Sequence, residues 1–296
     1  MSLTTLNLSV ANKLVLEAFD SGWKTYQPQG EKFFNKVDPQ RVDEKFSVHA
    51  ADGSIQEVSE NTAYPSINVA EIGSVTISQR VFKKEIPVSK LMKRFDNYGV
   101  VLREATKQGY RARYVMDDVM ADVLNNGFGT TTTWDGLSLF NASHLIGASG
   151  STQSNTAATD ISKSTINTAH IALQTQKDHG NQTMPVMGKF LVVHPNDQMT
   201  AWEAIGSPQD PTTANRAMNF INTLGIQLVV WPLLDDTDSW FLICDKMFNR
   251  LEYLVAIEPT VEYVRNDTNG SFAYQLDFAC NAGSPDYLGT YGNSGA

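Results

Sequence analysis

The chain has 296 residues, of which 42% are apolar and 19% are charged, and its formal net charge is −9. This composition is typical of a folded globular protein with one large domain or two modest ones. The acidic balance argues against a general nucleic-acid binder, and no apolar run approaches the ~18–20 residues that a membrane helix needs.

The N-terminal region, residues 1–43, is predicted to be an arm. It lacks the basic start and the small-residue cleavage site of a secretory signal. One short amphipathic stretch places Ala11, Val15, Leu16 and Phe19 at helical spacing, among polar and turn-forming residues. Such a segment has little core of its own, so we expect it to be ordered only where it is tied to another surface.

An extended pattern covers residues 44–90. Phe46 and Val48 alternate with polar residues in its first half, and Val75 and Ile77 do so in its second half. The pattern predicts two long strands joined by an irregular tip. Because isolated hairpins are marginal in water and this one has few apolar residues, we expect it to project and rest on a partner.

A long helical pattern runs from residue 96 to residue 128. Apolar residues at i, i+3, i+4 and i+7 spacing predict a wide core-facing stripe rather than a cofactor site: Ala112, Val115, Met116, Val119, Met120, Val123 and Leu124. Asn126 and Gly127 supply the stop signal. The late charges Asp117, Asp118 and Asp122 run against the helix dipole, so we expect the helix charges to serve external partners.

Positive charge is concentrated at the start of this helix and just before it. Residues 80–113 hold ten basic and three acidic residues, so this segment is +7 while the rest of the chain is −16. Such segregation creates a long-range field that suits contact with either another subunit or DNA. The candidates for these contacts are Arg80, Lys83, Lys84, Lys90, Lys93, Arg94, Arg103, Lys107, Arg111 and Arg113.

The second half of the chain predicts a mixed plan. After a small-residue linker, helices alternate with the buried strand GKFLVVHP and the strands IQLVVWP and SWFLICD between residues 160 and 245. Ser162 or Ser164 is a candidate cap of the first helix. Strands alone follow. The fold class is therefore α+β. Cys244 and Cys280 lie in apolar segments and are interpreted as buried thiols, not as a disulfide framework or a zinc site.

The residues Asp135, Ser138, Ser143 and His144 raise the question of a hydrolase. The chain lacks a G-x-S-x-G elbow, and the spacing of these residues does not match a triad, so we interpret them as local hydrogen-bonding groups beside an Asp135-Gly136 turn. The histidines are dispersed, the Asp235–Asp238 run lacks the glycine and glutamate of a calcium loop, and no phosphate-binding motif occurs. No catalytic residue, metal site or cofactor is predicted.

Three stretches carry a resemblance to a known family. They are QRVFKKEIPVSKLMKRFDNYG, LNNGFGTTTTWDGLSLFNASH and LGIQLVVWPLLDDTDSWFLICD, and with their spacing they span nearly the whole chain. The order of parts resembles the major capsid protein of tailed bacteriophages, with the HK97-type fold, and is most similar to the Mu-like major head subunit family.

The resemblance implies a role for each segment. Residues 1–43 would be an N-terminal arm that reaches neighbouring subunits, and residues 44–90 an extended loop over an adjacent subunit. Residues 91–159 would form the peripheral domain with its spine helix at 96–128, residues 160–245 mostly the axial domain, and residues 246–296 a return to the peripheral domain and a C-terminal tail. The candidate contacts at the loop tip are Glu57, Glu60, Tyr64, Pro65 and Ile67.

The implied function is structural, not enzymatic. Hexamers and pentamers would assemble into an icosahedral shell enclosing double-stranded DNA, contacted weakly and without sequence specificity. The partners would be a portal protein and a separate scaffold, in the virion and, during assembly, in the host cytoplasm, with no membrane. No lysine lies between Lys45 and Lys83 for a covalent cross-link, which leaves non-covalent contacts or a cement or decoration protein. The alternatives are an encapsulin-like non-viral shell and a hydrolase using Ser138 or Ser143 with His144.

Overall fold

The computed structural model describes residues 5–51, 55, 57–64, 66, 69–89, 98–147, 150–208, 218–266 and 271–296. The helices in these ranges are α1 (Thr5–Thr25), α2 (Tyr98–Asn125), α3 (Lys163–Thr175), α4 (Gln198–Gly206) and α5 (Phe220–Thr223). The strands are β1 (Asn35–Val37), β2 (Asp43–Ala51), β3 (Val69–Ser78), β4 (Arg80–Val88), β5 (His144–Leu145), β6 (Thr152–Gln153), β7 (Thr156–Ala157), β8 (Gly188–Val193), β9 (Gln227–Val230), β10 (Trp240–Cys244), β11 (Glu252–Asn266), β12 (Ser271–Gly283) and β13 (Thr290–Asn293). None of these helices combines the length and the apolar character needed to cross a membrane.

The first layer of the fold is a four-stranded sheet with the order β1-β11-β12-β4. The strands β11 and β12 pair antiparallel over most of their length, β4 adds to β12, and β1 runs parallel to β11. The predicted stripe of α2 faces this sheet, with Met116, Met120 and Leu124 buried in one core with Leu276 and Phe278. The stripe is therefore confirmed as core packing.

The long helix spans Tyr98–Asn125, whereas the pattern predicted 96–128. Residues 96 and 97 lie outside the described residues. At the other end the helix stops at Asn125, directly before the predicted stop residues Asn126 and Gly127. The Gly127 amide donates to the Leu124 carbonyl at 2.9 Å, and the chain leaves the helix in a turn. The predicted end at residue 128 is therefore three residues too long.

The second layer is a five-stranded sheet with the order β7-β13-β10-β8-β9, which confirms the three predicted strands as β8, β9 and β10. Strands β8 and β10 are almost entirely buried, whereas β9 is only partly buried. Its core joins Leu191, Trp240 and Leu242 to apolar residues of α3 and α4. Of the two predicted caps, Ser162 caps α3: its hydroxyl accepts from the Thr165 amide, and the Thr165 hydroxyl accepts from the Ser162 amide.

Two predicted boundaries are wrong. Strands β2 and β3 form the hairpin from Asp43 to Ser78, but β4, which was predicted to belong to the loop at 44–90, pairs with β12 in the four-stranded sheet. Phe82 and Val88 face the core there, so β4 gains burial that the hairpin lacks. Residues 246–296, predicted as a return to the peripheral domain and a C-terminal tail, divide between the two sheets: β11 and β12 lie in the first sheet, and β13 lies beside β10 in the second with every residue buried.

The N-terminal region also differs from the predicted arm. It forms α1, a helix of 21 residues that packs on α2 of the same chain, with Val15 and Phe19 buried. The two helices cross closely: a Cβ atom at Gly22 would overlap the Thr106 carbonyl oxygen, and one at Gly109 would overlap the Phe19 carbonyl oxygen. Glycine is needed at both positions because the two backbones touch.

A buried carboxylate joins the two layers to this N-terminal region. Asp117 of α2 is fully buried and accepts hydrogen bonds from the Gly30 amide (2.9 Å), the Tyr26 hydroxyl (2.7 Å) and the Trp231 indole (3.0 Å). The expectation that Asp117 serves an external partner is therefore wrong. Its position in the sequence, seven residues before Leu124 of the apolar stripe, places it on the core face.

We expect the substitution Gly109→Ala to separate α1 from α2, since overpacking a close contact costs about 1–3 kcal/mol. Thermal unfolding should occur at a lower temperature, and trypsin should cut faster at Lys13 and Lys24 on α1. The matched control is Gly99→Ala in the same helix, where an added Cβ meets nothing within 4 Å. Equal stability of the two variants would contradict the close crossing.

Candidate functional site

The structure brings together two of the residues that raised the hydrolase question. His144 Nδ1 lies 2.8 Å from Asp135 Oδ2, and both side chains are fully buried. The other ring nitrogen, Nε2, lies 3.1 Å from the Leu139 carbonyl oxygen. Each ring nitrogen therefore lies within hydrogen-bond distance of an acceptor in the same loop.

The serines do not complete a triad. The Ser138 hydroxyl donates to the Phe140 carbonyl at 3.2 Å and accepts from the Asn141 amide group, and the Ser143 backbone amide donates to Asn141 Oδ1. A serine nucleophile requires a histidine nitrogen as its base, and both nitrogens of His144 have other partners. The geometry thus contradicts a hydrolase built on Ser138 or Ser143 with His144.

The carboxylate of Asp135 instead organises its own loop. It accepts from the Thr133 hydroxyl (2.7 Å) and from the Leu137 and Leu145 amides, and Gly136 adopts φ +77° in the predicted turn. Burial acts to raise the pKa of Asp135, but the hydrogen bonds from His144 and Thr133 and the His144 charge outweigh it and lower the pKa to about 2.

A second histidine–carboxylate pair, not predicted from the sequence, lies beside the first. His179 Nε2 is 2.7 Å from Asp286 Oδ2. Tyr287 joins the two pairs: its ring stacks on His144 with centroids 4.0 Å apart and meets the edge of His179 at 6.0 Å. Its hydroxyl donates to the Leu145 carbonyl. The cluster therefore fastens the C-terminal segment to the loop that follows α2.

The remaining candidates for chemistry are structural as well. Within the described residues, no group of three or more histidine, cysteine, aspartate or glutamate side chains is placed to hold a metal ion. Cys244 and Cys280 are buried and unpaired, and burial raises the pKa of their thiols to about 12 and about 11. These thiols are protonated at neutral pH and lack the thiolate that reactive cysteines use.

The predicted basic residues divide into two groups. Arg80 pairs with Asp122 at 3.0 Å, and Arg113 pairs with Glu31 at 3.2 Å while its guanidinium stacks over the Trp23 ring. These two arginines bind parts of their own chain. The other described members of the predicted set lie on exposed surface: Lys83, Lys84, Arg103, Lys107 and Arg111. Lys90, Lys93 and Arg94 lie outside the described residues.

The tip of the β2–β3 hairpin presents exposed side chains. Glu57, Glu60 and Tyr64 are exposed, with Tyr64 at 98%, while Pro65 and Ile67 lie outside the described residues. The base is anchored by the buried side chains of Val48 and Ile77. The hairpin is thus tied to the body at one end and open to contacts at the other.

An exposed apolar patch on the second layer was not predicted. It consists of Met199 and Trp202 on α4 with Met218 and Phe220 at the start of α5, which are 61–80% exposed. Helices α4 and α5 contact each other, so these four side chains lie on neighbouring exposed elements. Exposed apolar side chains on adjacent elements are typical of contact sites. The only sequence signal was the placement of Met199 and Trp202 three residues apart on a helix whose other face carries Ala201, Ala204 and Ile205.

We expect Asp135→Asn to lower the free energy of unfolding at pH 7 by about 2 kcal/mol, the equivalent of the shift from 3.8 to about 2. Since the pKa is depressed in the folded state, this contribution is present above about pH 4 and is lost as the pH falls towards 2. Urea titrations at several pH values check it. The control is Asp20→Asn in the exposed pair with Lys24. A difference between wild type and Asp135→Asn that stays constant from pH 7 to pH 2 would refute the assignment.

The chain is similar to known capsid proteins. The phage capsid protein family model matches residues 73–293, well over half of the chain. No curated protein matches the sequence.

Solved structures of capsids and related particles share the fold. The procapsid of bacteriophage JBD30 is 12% identical, with 98% of this chain and 76% of that chain covered and a TM-score of 0.55. The JBD30 capsid decorated with minor capsid protein trimers is 12% identical over 69% of this chain and 90% of that chain, with a TM-score of 0.57.

Two further structures extend the likeness. The capsid of Myoviridae phage XM1 is 11% identical, with 90% of each chain covered and a TM-score of 0.54. A virus-like particle from Pyrococcus furiosus is 11% identical, with 95% of this chain and 98% of that chain covered and a TM-score of 0.52. At these identities the structures show only that the fold is shared.

The Mu-like subfamily stays a prediction. The family match and the shared fold together establish that this chain is a capsid shell protein of the phage capsid protein family, with the predicted HK97-type α+β fold.

Proposed function

We propose that the chain is the major subunit of a phage head and assembles through hexamers and pentamers into an icosahedral shell around double-stranded DNA. The family match over residues 73–293 carries this proposal. It includes most of both sheets and the whole of α2. The role is structural and not enzymatic, which agrees with a buried Asp135–His144 pair whose partners all belong to its own loop.

Each of the two sheet layers then corresponds to one domain of the capsid subunit. The four-stranded sheet with α2 is the peripheral domain, and the five-stranded sheet with α3, α4 and α5 is the axial domain. The hairpin between Asp43 and Ser78 is the extended loop and lies over an adjacent subunit. Among the described residues before β1, the exposed side of α1 would contact a neighbouring subunit, since Leu14 and Leu16 there are about half exposed.

Two exposed surfaces support assembly into rings. The patch of Met199, Trp202, Met218 and Phe220 lies on the axial domain and would meet its copies around the ring axis. The hairpin tip, with Glu57, Glu60 and Tyr64, would bind a different surface of the next subunit. Contacts between unlike surfaces generate closed rings, and obligate assemblies of this type bury roughly 2,000 Å² or more per interface.

Other partners follow from the same proposal. A head of this type needs a portal protein and a separate scaffold, and it assembles in the host cytoplasm before it becomes part of the virion. The absence of lysine between Lys45 and Lys83 favours non-covalent reinforcement. The JBD30 capsid carries minor capsid protein trimers, and we propose a comparable cement or decoration protein here.

An encapsulin-like shell is a second candidate because the virus-like particle from Pyrococcus furiosus shares the fold over 95% of this chain. The two candidates differ in their contents. A phage head encloses DNA through a portal, whereas an encapsulin-like shell encloses cargo enzymes. The nucleic acid and protein content of particles isolated from a producing cell separates them.

We expect the purified full chain to form closed, uniform shells or capsomer rings in negative-stain images, either alone or with a scaffold. The physical reason is the large exposed apolar surface on the axial domain and the open hairpin tip. A protein that remains a monodisperse monomer over a wide range of concentration, salt and scaffold would overturn the proposal.

We expect Trp202→Glu to abolish ring and shell formation without unfolding the subunit. Trp202 is 61% exposed, so a charge there costs little in the free subunit but is desolvated when copies meet. The matched control is Trp202→Phe, which keeps an apolar ring and should still assemble. Sedimentation velocity measures assembly, and circular dichroism melting checks the fold. Normal shells from Trp202→Glu would exclude this patch as a contact.

A further inference from the structure

We propose that the exposed face of α2 binds the phosphate backbone of the enclosed DNA. This surface, which we name the α2 stripe, consists of Arg103, Lys107, Tyr110, Arg111 and Tyr114. The inference rests on the proposed function, since it requires DNA inside the shell, and it identifies which of the ten basic residues make that contact.

The geometry of the helix aligns these five side chains. At 100° per residue they fall within an arc of about 100°, and at 1.5 Å per residue they extend over about 16 Å. All five are exposed, including Tyr110 at 41% and Tyr114 at 38%. The opposite face of the same turns carries the buried Ala105 and Ala112, so the backbone under the stripe is held by the core.

Within the described residues, the cations of the α2 stripe are only partly balanced by carboxylates of the same subunit. Arg103 donates only to the Gly99 carbonyl of its own helix, and Arg111 forms no ion pair or hydrogen bond within the part of the chain that the structure describes. Lys107 pairs with Glu104 at 2.7 Å, but this pair is exposed. Exposed pairs contribute only ~0–1 kcal/mol, so a phosphate can replace the carboxylate.

Two acidic residues lie beside the cations of the α2 stripe. Glu104 is the only carboxylate in residues 98–116 of the sequence, and Asp118 follows one turn after Tyr114. The hydrogen bond from Lys107, together with the charges of Lys107, Arg111 and Arg103, outweighs the opposing effect of desolvation and holds the pKa of Glu104 below its usual value. Three cations therefore surround one anion. The positive surface continues onto β4, because Lys83 and Lys84 line a groove together with Arg111.

The tyrosines add neutral donors to this row of cations. The Tyr26 ring meets Tyr110 and Tyr114 edge-on, with centroids 5.2 and 5.8 Å away, and the Tyr26 hydroxyl is anchored on Asp117. This packing against Tyr26 fixes the orientation of the Tyr110 and Tyr114 rings. Burial, and the nearby Asp118, raise the pKa of Tyr114, so its hydroxyl remains protonated. Arginine, lysine and tyrosine are all common donors to DNA phosphates.

The composition of the α2 stripe favours DNA over the acidic surface of a second copy. Contacts between proteins centre on desolvated apolar groups and are depleted in lysine. The stripe has no aliphatic side chain at its centre, and its cations recur at about one per helical turn. Such a row matches a repeating phosphate backbone and predicts binding that is independent of base sequence and sensitive to salt.

The test uses the unassembled full chain and a short fluorescent DNA duplex, with affinity measured by anisotropy at several salt concentrations. In the variant Arg103→Gln/Lys107→Gln/Arg111→Gln, the slope of log K against log salt should become shallower by about 2.7, since each lost phosphate contact removes about 0.9. The control, Lys24→Gln/Lys36→Gln/Lys45→Gln, makes the same charge change at exposed lysines elsewhere and should keep the wild-type slope.

Shell formation is scored separately by electron microscopy. The proposed DNA contact is overturned if the stripe variant keeps the wild-type slope. It is also overturned if the slope of the control becomes as shallow as that of the stripe variant. A stripe variant that binds DNA normally but forms no shells also overturns it and identifies the stripe as a contact between copies. If the wild type forms no shells, the proposed function fails, whatever the anisotropy shows.

Discussion

The buried carboxylate of Asp117 is the interaction on which the rest of the structure depends. It joins three segments distant in sequence: the long helix, the turn that enters β1 and the strand end at Trp231. A buried polar group is costly unless its hydrogen bonds are made, and here three donors satisfy the Asp117 side chain. Because each donor also needs this acceptor, the first layer, the second layer and the N-terminal region are fixed relative to one another.

A body fixed in this way can leave its outer surfaces free for contacts. The second polar cluster, in which Tyr287 lies between His144 and His179, ties down the C-terminal segment in the same manner. What remains exposed is the hairpin tip, the apolar patch around Trp202 and the cations of α2. These surfaces lie on different elements of a single rigid frame, as a subunit that binds several neighbours at once requires.

The charges of residues 80–113 illustrate why a net charge in the sequence does not identify a functional surface. The count of +7 treats every basic residue alike. In the structure Arg80 and Arg113 are engaged by Asp122 and Glu31, which come from segments outside the basic region. Residues engaged in this way are less available to another molecule, and only the burial and distances in the structure identify them.

The sequence by itself determined the helices and strands whose apolar residues recur with a clear pattern: the stripe from Ala112 to Leu124, the hairpin strands β2 and β3, and strands β8, β9 and β10 of the second sheet. It also determined the family, because the order of these elements is specific. The tertiary structure alone decided where β4 and β13 pair, that α1 packs on α2 and that Asp135 and His144 form a structural pair. Strand pairing and buried polar contacts depend on distant partners, and a local period carries no information about them.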